Sequence, residues 1–269
     1  MTLSGISARI RNLHPPLSGR NTNPSAAVTV VSMCRASGAL GLSVCLSLAC
    51  GWSTLALANP EGGQIVGGSA SIEQRTSSRL DVIQHSQKAI IDWRKFSIDA
   101  GEHTNFQQPS TSAAVLNRII GGDASSILGR LTANGQVFLV NPNGVLFGPG
   151  SQVDVAGLVA TTADIRNQNF LDGRYVFDES SDKARALVLN QGSISVGENG
   201  FAVLAAPHVR NEGLIQARLG RVALAGANTF TLDFDGDGLI TFDVGSDVSR
   251  TPLGEDGEPV TALVSNLGT

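Results

Sequence analysis

The chain has 269 residues, room for one or two domains, with 42% apolar residues, 31 glycines and a formal charge of −4, a balance that excludes an intrinsically disordered chain. The charge is uneven. Residues 1–58 hold Arg9, Arg11, Arg20 and Arg35 and no acidic residue, which leaves 15 of the 19 basic residues to face all 23 acidic ones, so no basic stripe for nucleic acid is expected.

The first element is a leader. Residues 36–58 are uncharged and follow Arg35, and they end in Ala56-Leu57-Ala58, the small-x-small pattern of signal peptidase, before Asn59-Pro60. The expected boundary therefore puts a leader at 1–58 and the mature domain at 59–269. Glycine and serine interrupt the apolar run, which makes it a poor permanent span, although an N-terminal anchor would export the rest equally well. Met33 is the only methionine after Met1, and a compact signal peptide begins there. Translation from Met33 and an extended n-region through residue 32 are both open. Cys34, Cys45 and Cys50 all lie in this leader, and the exported part has no cysteine. That suits a chain that crosses an oxidising compartment unfolded, where a disulfide would lock a loop before transit.

Beyond the leader, strand signals dominate. Ile91-Asp92-Trp93, Phe96-Ser97-Ile98 and Val153-Asp154-Val155 alternate apolar and polar residues with a period of two. The best helix candidate is short, Ser110 to Ile120. An internal repeat follows. Asn190-Gln-Gly-Ser-Ile194-Ser-Val196 returns 21 residues later as Asn211-Glu-Gly-Leu-Ile215-Gln-Ala217, and Gly200 to Ala206 returns 20 residues later as Gly220 to Gly226. Turn, strand, turn, strand at this period predicts stacked coils, with Ala205 and Ala225 in tight layers and Asn-x-Gly supplying left-handed corners. An antiparallel sandwich is the competing architecture. Asn266-Leu-Gly268 reads as a third corner with its strand cut off, so the domain is expected to be truncated at its C-terminal end.

Several segments then resemble one family. Ile91-Asp-Trp-Arg-Lys-Phe-Ser-Ile98, Phe106-Gln-Gln-Pro-Ser110, Leu116-Asn-Arg-Ile119, Ile127-Leu-Gly-Arg-Leu131 and Asn134 through Gly148 look like the haemagglutination-activity domain of two-partner secretion exoproteins, the filamentous haemagglutinin-like adhesins. The resemblance runs from about Gly62 to Val244. It implies an all-β fold, a right-handed parallel β-helix with N-terminal capping strands and extra-helical hairpins. It also implies a non-enzymatic role, with no cofactor, as the secretion-recognition domain of an adhesin, haemolysin or contact-dependent inhibition protein. The implied route runs through the Sec machinery to the periplasmic domains of a partner outer-membrane β-barrel transporter and on to the cell surface or medium, where a host or cell-surface receptor is a further partner. The family's hallmark stands here as Asn141-Pro142-Asn143-Gly144-Val145, and the resemblance gives it a role in secretion. Physically it reads as a tight corner, with Pro142 setting one dihedral and Asn143-Gly144 favouring positive ones. Two features depart from the pattern. There is no upstream Asn-Pro-Asn-Leu element, and Asp92 replaces the Asn usual before the tryptophan. The nearest similar string, Asn167-Gln168-Asn169-Phe170, reads as a loop.

Other chemistry is thinly represented. Asp233, Asp235 and Asp237 have the opening spacing of a Ca²⁺ loop, but Val244 stands where the twelfth-position Glu belongs and the flanks read as strands, so a β-turn is expected. His14, His85, His103 and His208 are scattered without zinc-site spacing. Because β-helices include polysaccharide lyases, Asp154, Asp164 and Arg166 form the one acidic and basic grouping to test. A stand-alone carbohydrate-binding or lyase β-helix, and a Ca²⁺-binding surface protein, are the alternative functions.

Overall fold

The computed structural model describes residues 59–235, 239–246, 248, 251–254 and 257–269. The chain divides into two units, of which the first, Met1–Ser53, lies outside the described residues together with the leader's apolar run and the Ala56-Leu57-Ala58 site. Among the described residues no helix is long and apolar enough to cross a membrane.

The second unit is a parallel β-solenoid of about 6 turns. Two strands precede it, β1 (Gln64–Gly67) and β2 (Ala70–Thr76). The first coil holds β3 (Arg79–Gln84) and β4 (Lys88–Trp93), and its third side passes through Ile98. The second holds β5 (His103–Gln107), β6 (Ala114–Ile119) and β7 (Ser125–Ile127), and the third β8 (Arg130–Ala133), β9 (Gln136–Val140) and β10 (Val145–Phe147). In the fourth, β11 (Gln152–Thr161) spans two sides, helix α1 (Asn167–Asp172) and β12 (Tyr175–Phe177) are inserted, and β13 (Leu187–Asn190) closes the turn. The fifth uses β14 (Ser193–Ala206) and β15 (His208–Asn211). The sixth has β16 (Leu214–Ala217) and β17 (Arg221–Gly226), then an inserted hairpin of β18 (Thr229–Asp235) and β19 (Leu239–Ser246), then β20 (Val264–Asn266).

Equivalent strands pair in parallel and build three sides. One stacks β3, β5, β8, the first half of β11, the first half of β14 and β16. The second stacks β4, β6, β9, the second halves of β11 and β14, and β17. The third stacks β7, β10, β13, β15 and β20. This parallel pairing excludes the antiparallel sandwich. At the N-terminal end β1 runs antiparallel to β4 and β2 antiparallel to β3, so the first coil is closed by capping strands as expected.

The coil interior is filled by Val82, Trp93, Phe96, Phe106, Val115, Leu131, Leu139, Phe147, Leu158 and Leu204, all buried. The tryptophan inside is paired: Trp93 Nε1 donates to Asn117 Oδ1 at 2.9 Å one coil on, and Asn117 is itself fully buried. A second core lies on the outer surface of the second side, where Ile90, Leu116, Phe138, Val140, Val159 and Val203 meet Ala163, Ile165, Phe170, Tyr175, Phe177 and Phe230 from the insertions. Strands covered on both surfaces are apolar at every position, not at every other one. This explains the continuous run Phe201-Ala-Val-Leu-Ala-Ala206.

It also explains two corrections. Ser110 to Ile120 is not a helix but a turn followed by β6, whose Val115 and Ile119 face one core while Ala114 and Leu116 face the other. Asn167-Gln168-Asn169-Phe170 is not a loop but begins α1, which buries Phe170 against Phe138 at a ring-centroid distance of 5.2 Å.

The repeat holds in register: Asn190 pairs with Asn211 and Ala205 with Ala225. Its corner chemistry differs from expectation. Gly192, Gly213 and Gly268 do not adopt positive φ. They are small because the preceding coil presses on them: a Cβ on Gly213 would meet Gly192 O at 2.1 Å, and one on Gly268 would meet Gly213 O at 1.9 Å. The asparagines instead form a ladder, in which Asn190 Nδ2 donates to Asn211 Oδ1 and Asn211 Nδ2 to Asn266 Oδ1, each at 2.7 Å.

Candidate functional site: the asparagine corner

The Asn141-Pro142-Asn143-Gly144 segment turns the chain from β9 on the second side to β10 on the third. Gly144 N donates to Asn141 O at 3.0 Å, which closes a β-turn with proline at its second position, where its fixed dihedral fits. Of the two residues expected to favour positive dihedrals, only Gly144 takes one, with φ of 111°. A Cβ there would also lie 2.9 Å from Leu187 O of the coil below, so glycine is required twice over. Asn143 serves as a hydrogen-bonding residue instead.

Asn141 is fully buried and organises the corner. Its Nδ2 donates to Asp123 O and to Ser125 Oγ, both at 3.0 Å, on the coil above. Its Oδ1 accepts from Asn143 N at 2.9 Å and from Asn143 Nδ2 at 3.1 Å. Asn143 Nδ2 also donates to Gly121 O at 2.9 Å. The backbone reaches downward: Asn141 N donates to Thr161 O at 3.0 Å, and Ser181 Oγ donates to Pro142 O at 2.6 Å. Val145 follows, buried in the coil interior and paired with Ser125 above and Val188 below. The two asparagines thus join the second, third and fourth coils, and their polar atoms are spent inside the fold. Gly121, Asp123, Ser125 and Ser181 are the partners that sequence reasoning missed. Two of them act through backbone carbonyls and two through a lone hydroxyl, which leave no residue-type signal.

The remaining candidates are not assembled into a site. Asp164 is bound by Arg118 at 2.8 Å, whereas Arg166 turns to Asp178 at 3.5 Å and Glu179 at 3.8 Å. Asp154 is exposed on a different side of the solenoid. Asp233 is exposed on β18 of the antiparallel hairpin; the side chain of Asp235, and Asp237 altogether, lie outside the described residues. Among the described residues no group of three His, Cys, Asp or Glu side chains could hold a metal ion. Ala56 and Ala58 of the cleavage site lie outside the described residues, while Asn59 is buried and its Nδ2 reaches Ser77 O at 3.4 Å.

The chain is thus a parallel β-solenoid with an antiparallel N-terminal cap, an outer layer of insertions and an Asn-Pro-Asn-Gly corner built on the buried Asn141. The TPS secretion domain family model matches residues 56–257, and the chain belongs to that family. The HMW1 secretion domain from Haemophilus influenzae is similar in structure, with a TM-score of 0.65 and 32% identity over 73% of this chain and 51% of that one. Two heme/hemopexin-binding proteins of Haemophilus influenzae are similar in sequence. One is 41% identical over 128 residues, 48% of this chain and 14% of the relative. The other is 35% identical over 179 residues, 64% of this chain and 19% of the relative. The chain therefore spans less than a fifth of the length of the curated relatives it matches.

Proposed function

We propose that this domain is read by the periplasmic domains of a partner outer-membrane β-barrel transporter while the Asn141–Val145 segment is still unfolded, and that it thereby directs export of a surface protein of the adhesin, haemolysin or contact-dependent inhibition type. The observation that carries the reading is that Asn141 is fully buried and that the side-chain amides of Asn141 and Asn143 are spent on Gly121, Asp123 and Ser125, so those amides are withheld from a partner once the coils have closed. An extended segment, by contrast, can add to a sheet edge, with main-chain hydrogen bonds for affinity and side chains for register. Delivery to the periplasm is by the Sec machinery, with cleavage between Ala58 and Asn59. Folding outside then opposes return, at about 25 cal/mol for each Å² of apolar surface buried. A receptor, where one exists, is met at the cell surface.

The test is secretion. The chain is co-expressed with its transporter in a Gram-negative host, and the medium is assayed. Appearance outside only with the transporter, lost in Asn141→Ala/Asn143→Ala, supports the reading. Accumulation in the periplasm regardless of the transporter sinks it.

A further inference from the structure

We propose that Arg118 is the positioning residue that fastens the inserted layer over the outer apolar surface of the solenoid. Arg118 leaves β6 on the outer surface of the second side, next to Leu116, and its side chain is only 13% exposed. Its guanidinium makes a fan of four contacts. Nε donates to Asp164 Oδ1 at 2.8 Å, Nη1 to Asn167 Oδ1 at 2.7 Å and to Asp92 Oδ1 at 3.2 Å, and Nη2 to Ile165 O at 2.5 Å. Asp92 belongs to the first coil and is the direct register partner of Arg118. Asp164, Ile165 and Asn167 belong to the insertion, at the point where it leaves the fourth coil and enters α1. One side chain therefore ties two coils to the inserted layer.

The layer has work to do. Ile90, Leu116, Phe138 and Val140 of the first three coils form a continuous apolar stripe, and Ile165, Phe170, Tyr175 and Phe177 cover it. A solenoid made of coils alone would present that stripe to water, where contiguous apolar surface promotes association. The covering segment is short: α1 has six residues and β12 three. Elements of that size do not hold their own geometry. The pairing of β12 with β18 and the bond from Lys88 Nζ to Leu171 O hold the far end, and fixing residues 164–167 sets the near end, from which Phe170 enters the core. A planar fork with several donors suits this task, and an ammonium group does not. The aspartate that departs from the family pattern before Trp93 thereby acquires a role: it supplies one spoke of the fan.

Hydrogen exchange on the purified full chain tests the assignment independently of secretion. In Arg118→Ala, amides of residues 164–177 and of β18 exchange about tenfold faster or more, while those of β9 and the second half of β11 keep their protection. Arg118→Lys does not restore the layer, and Arg118→Ala/Asn167→Ala exchanges no faster there than Arg118→Ala alone, because Asn167 Oδ1 meets Arg118 alone. A dye that fluoresces on apolar surface binds the variant and not the parent. Unchanged exchange in the layer overturns the proposal, and so does a uniform loss across all coils, because either makes Arg118 an ordinary packing residue. Should Arg118→Ala not fold, Asp92→Ala removes one spoke only. A smaller acceleration confined to the same segments is then expected, and its absence or spread to the coils overturns the assignment.

Discussion

Replacing Asn141 by alanine removes the side chain that ties the third coil to the second at one corner. The bonds from Nδ2 to Asp123 O and Ser125 Oγ and the bond from Asn143 N to Oδ1 are lost, in a place with no exposed surface. A neutral internal hydrogen bond contributes about 1 kcal/mol net, and partners left buried and unpaired add to the loss, so a destabilisation of roughly 3–4 kcal/mol is expected. In a domain of this size each kcal/mol moves the melting temperature by about 2–4 °C, which gives a drop of roughly 6–16 °C. Asn141→Asp should be at least as damaging, because a carboxylate cannot donate to Asp123 O and instead faces it with like partial charge. Circular dichroism melting of residues 59–269 at neutral pH reads both variants. A melting temperature for Asn141→Ala within about 2 °C of the parent would mean that the corner contributes under 1 kcal/mol, and the structural account of its asparagines would fail. Paired with the secretion assay, the melt also separates two roles: a variant of parental stability that is not exported has lost recognition and not folding.

Three further outcomes follow from the same structure. Phe138→Ala, which empties a buried position in ring contact with Phe170, Tyr175, Phe177 and Phe201, should cost about 3–5 kcal/mol in denaturant unfolding, with no change in secondary-structure type. His103 stands in register between Arg79 and Arg130, and burial first, then those two cations, lower its pKa from the ordinary 6.5, against a smaller opposing pull from Asp81. Its neutral form is therefore favoured by folding, so its contribution to stability is complete above about pH 6.5 and lost as the pH falls below that; His103→Gln should flatten this limb of a stability-against-pH curve. Asn211→Ala, in the middle of the asparagine ladder between Asn190 and Asn266, should destabilise by about 1–3 kcal/mol, measured by chemical unfolding, and Asn190→Ala/Asn211→Ala should lose less than the sum of the two singles.

The coil architecture was legible in the sequence because a solenoid repeats its own constraints. Asn190 and Asn211 recur 21 residues apart since each corner must meet the one before it, and the structure pairs them directly. The corner at Asn141 was equally legible as a turn, but its burial was not, since the groups that consume its amides are carbonyls and a hydroxyl from coils 16 to 22 residues away. The second core was hidden for a different reason. Strands such as β6 and β9 are covered on both surfaces, so their period of two vanishes, and Ala113-Ala-Val-Leu116 passes for a helix. Asp92 and Arg118 lie 26 residues apart and looked like two unrelated charges until register placed them side by side.

The antiparallel cap gives the solenoid a direction. β1 and β2 cross the start of the first coil antiparallel to β4 and β3, against the grain of the coil strands stacked after them, so the first two sides cannot take a further parallel strand at that end. Stacking continues at the opposite end, where among the described residues β17 and β20 each pair along one edge and Thr269 has begun to pair with β16. The molecule thus behaves like a polymer with one blocked terminus. Each coil can be ordered only on the template of an earlier one, and in a nearest-neighbour assembly of this kind the cap acts as the seed, fixing register for every layer added after it.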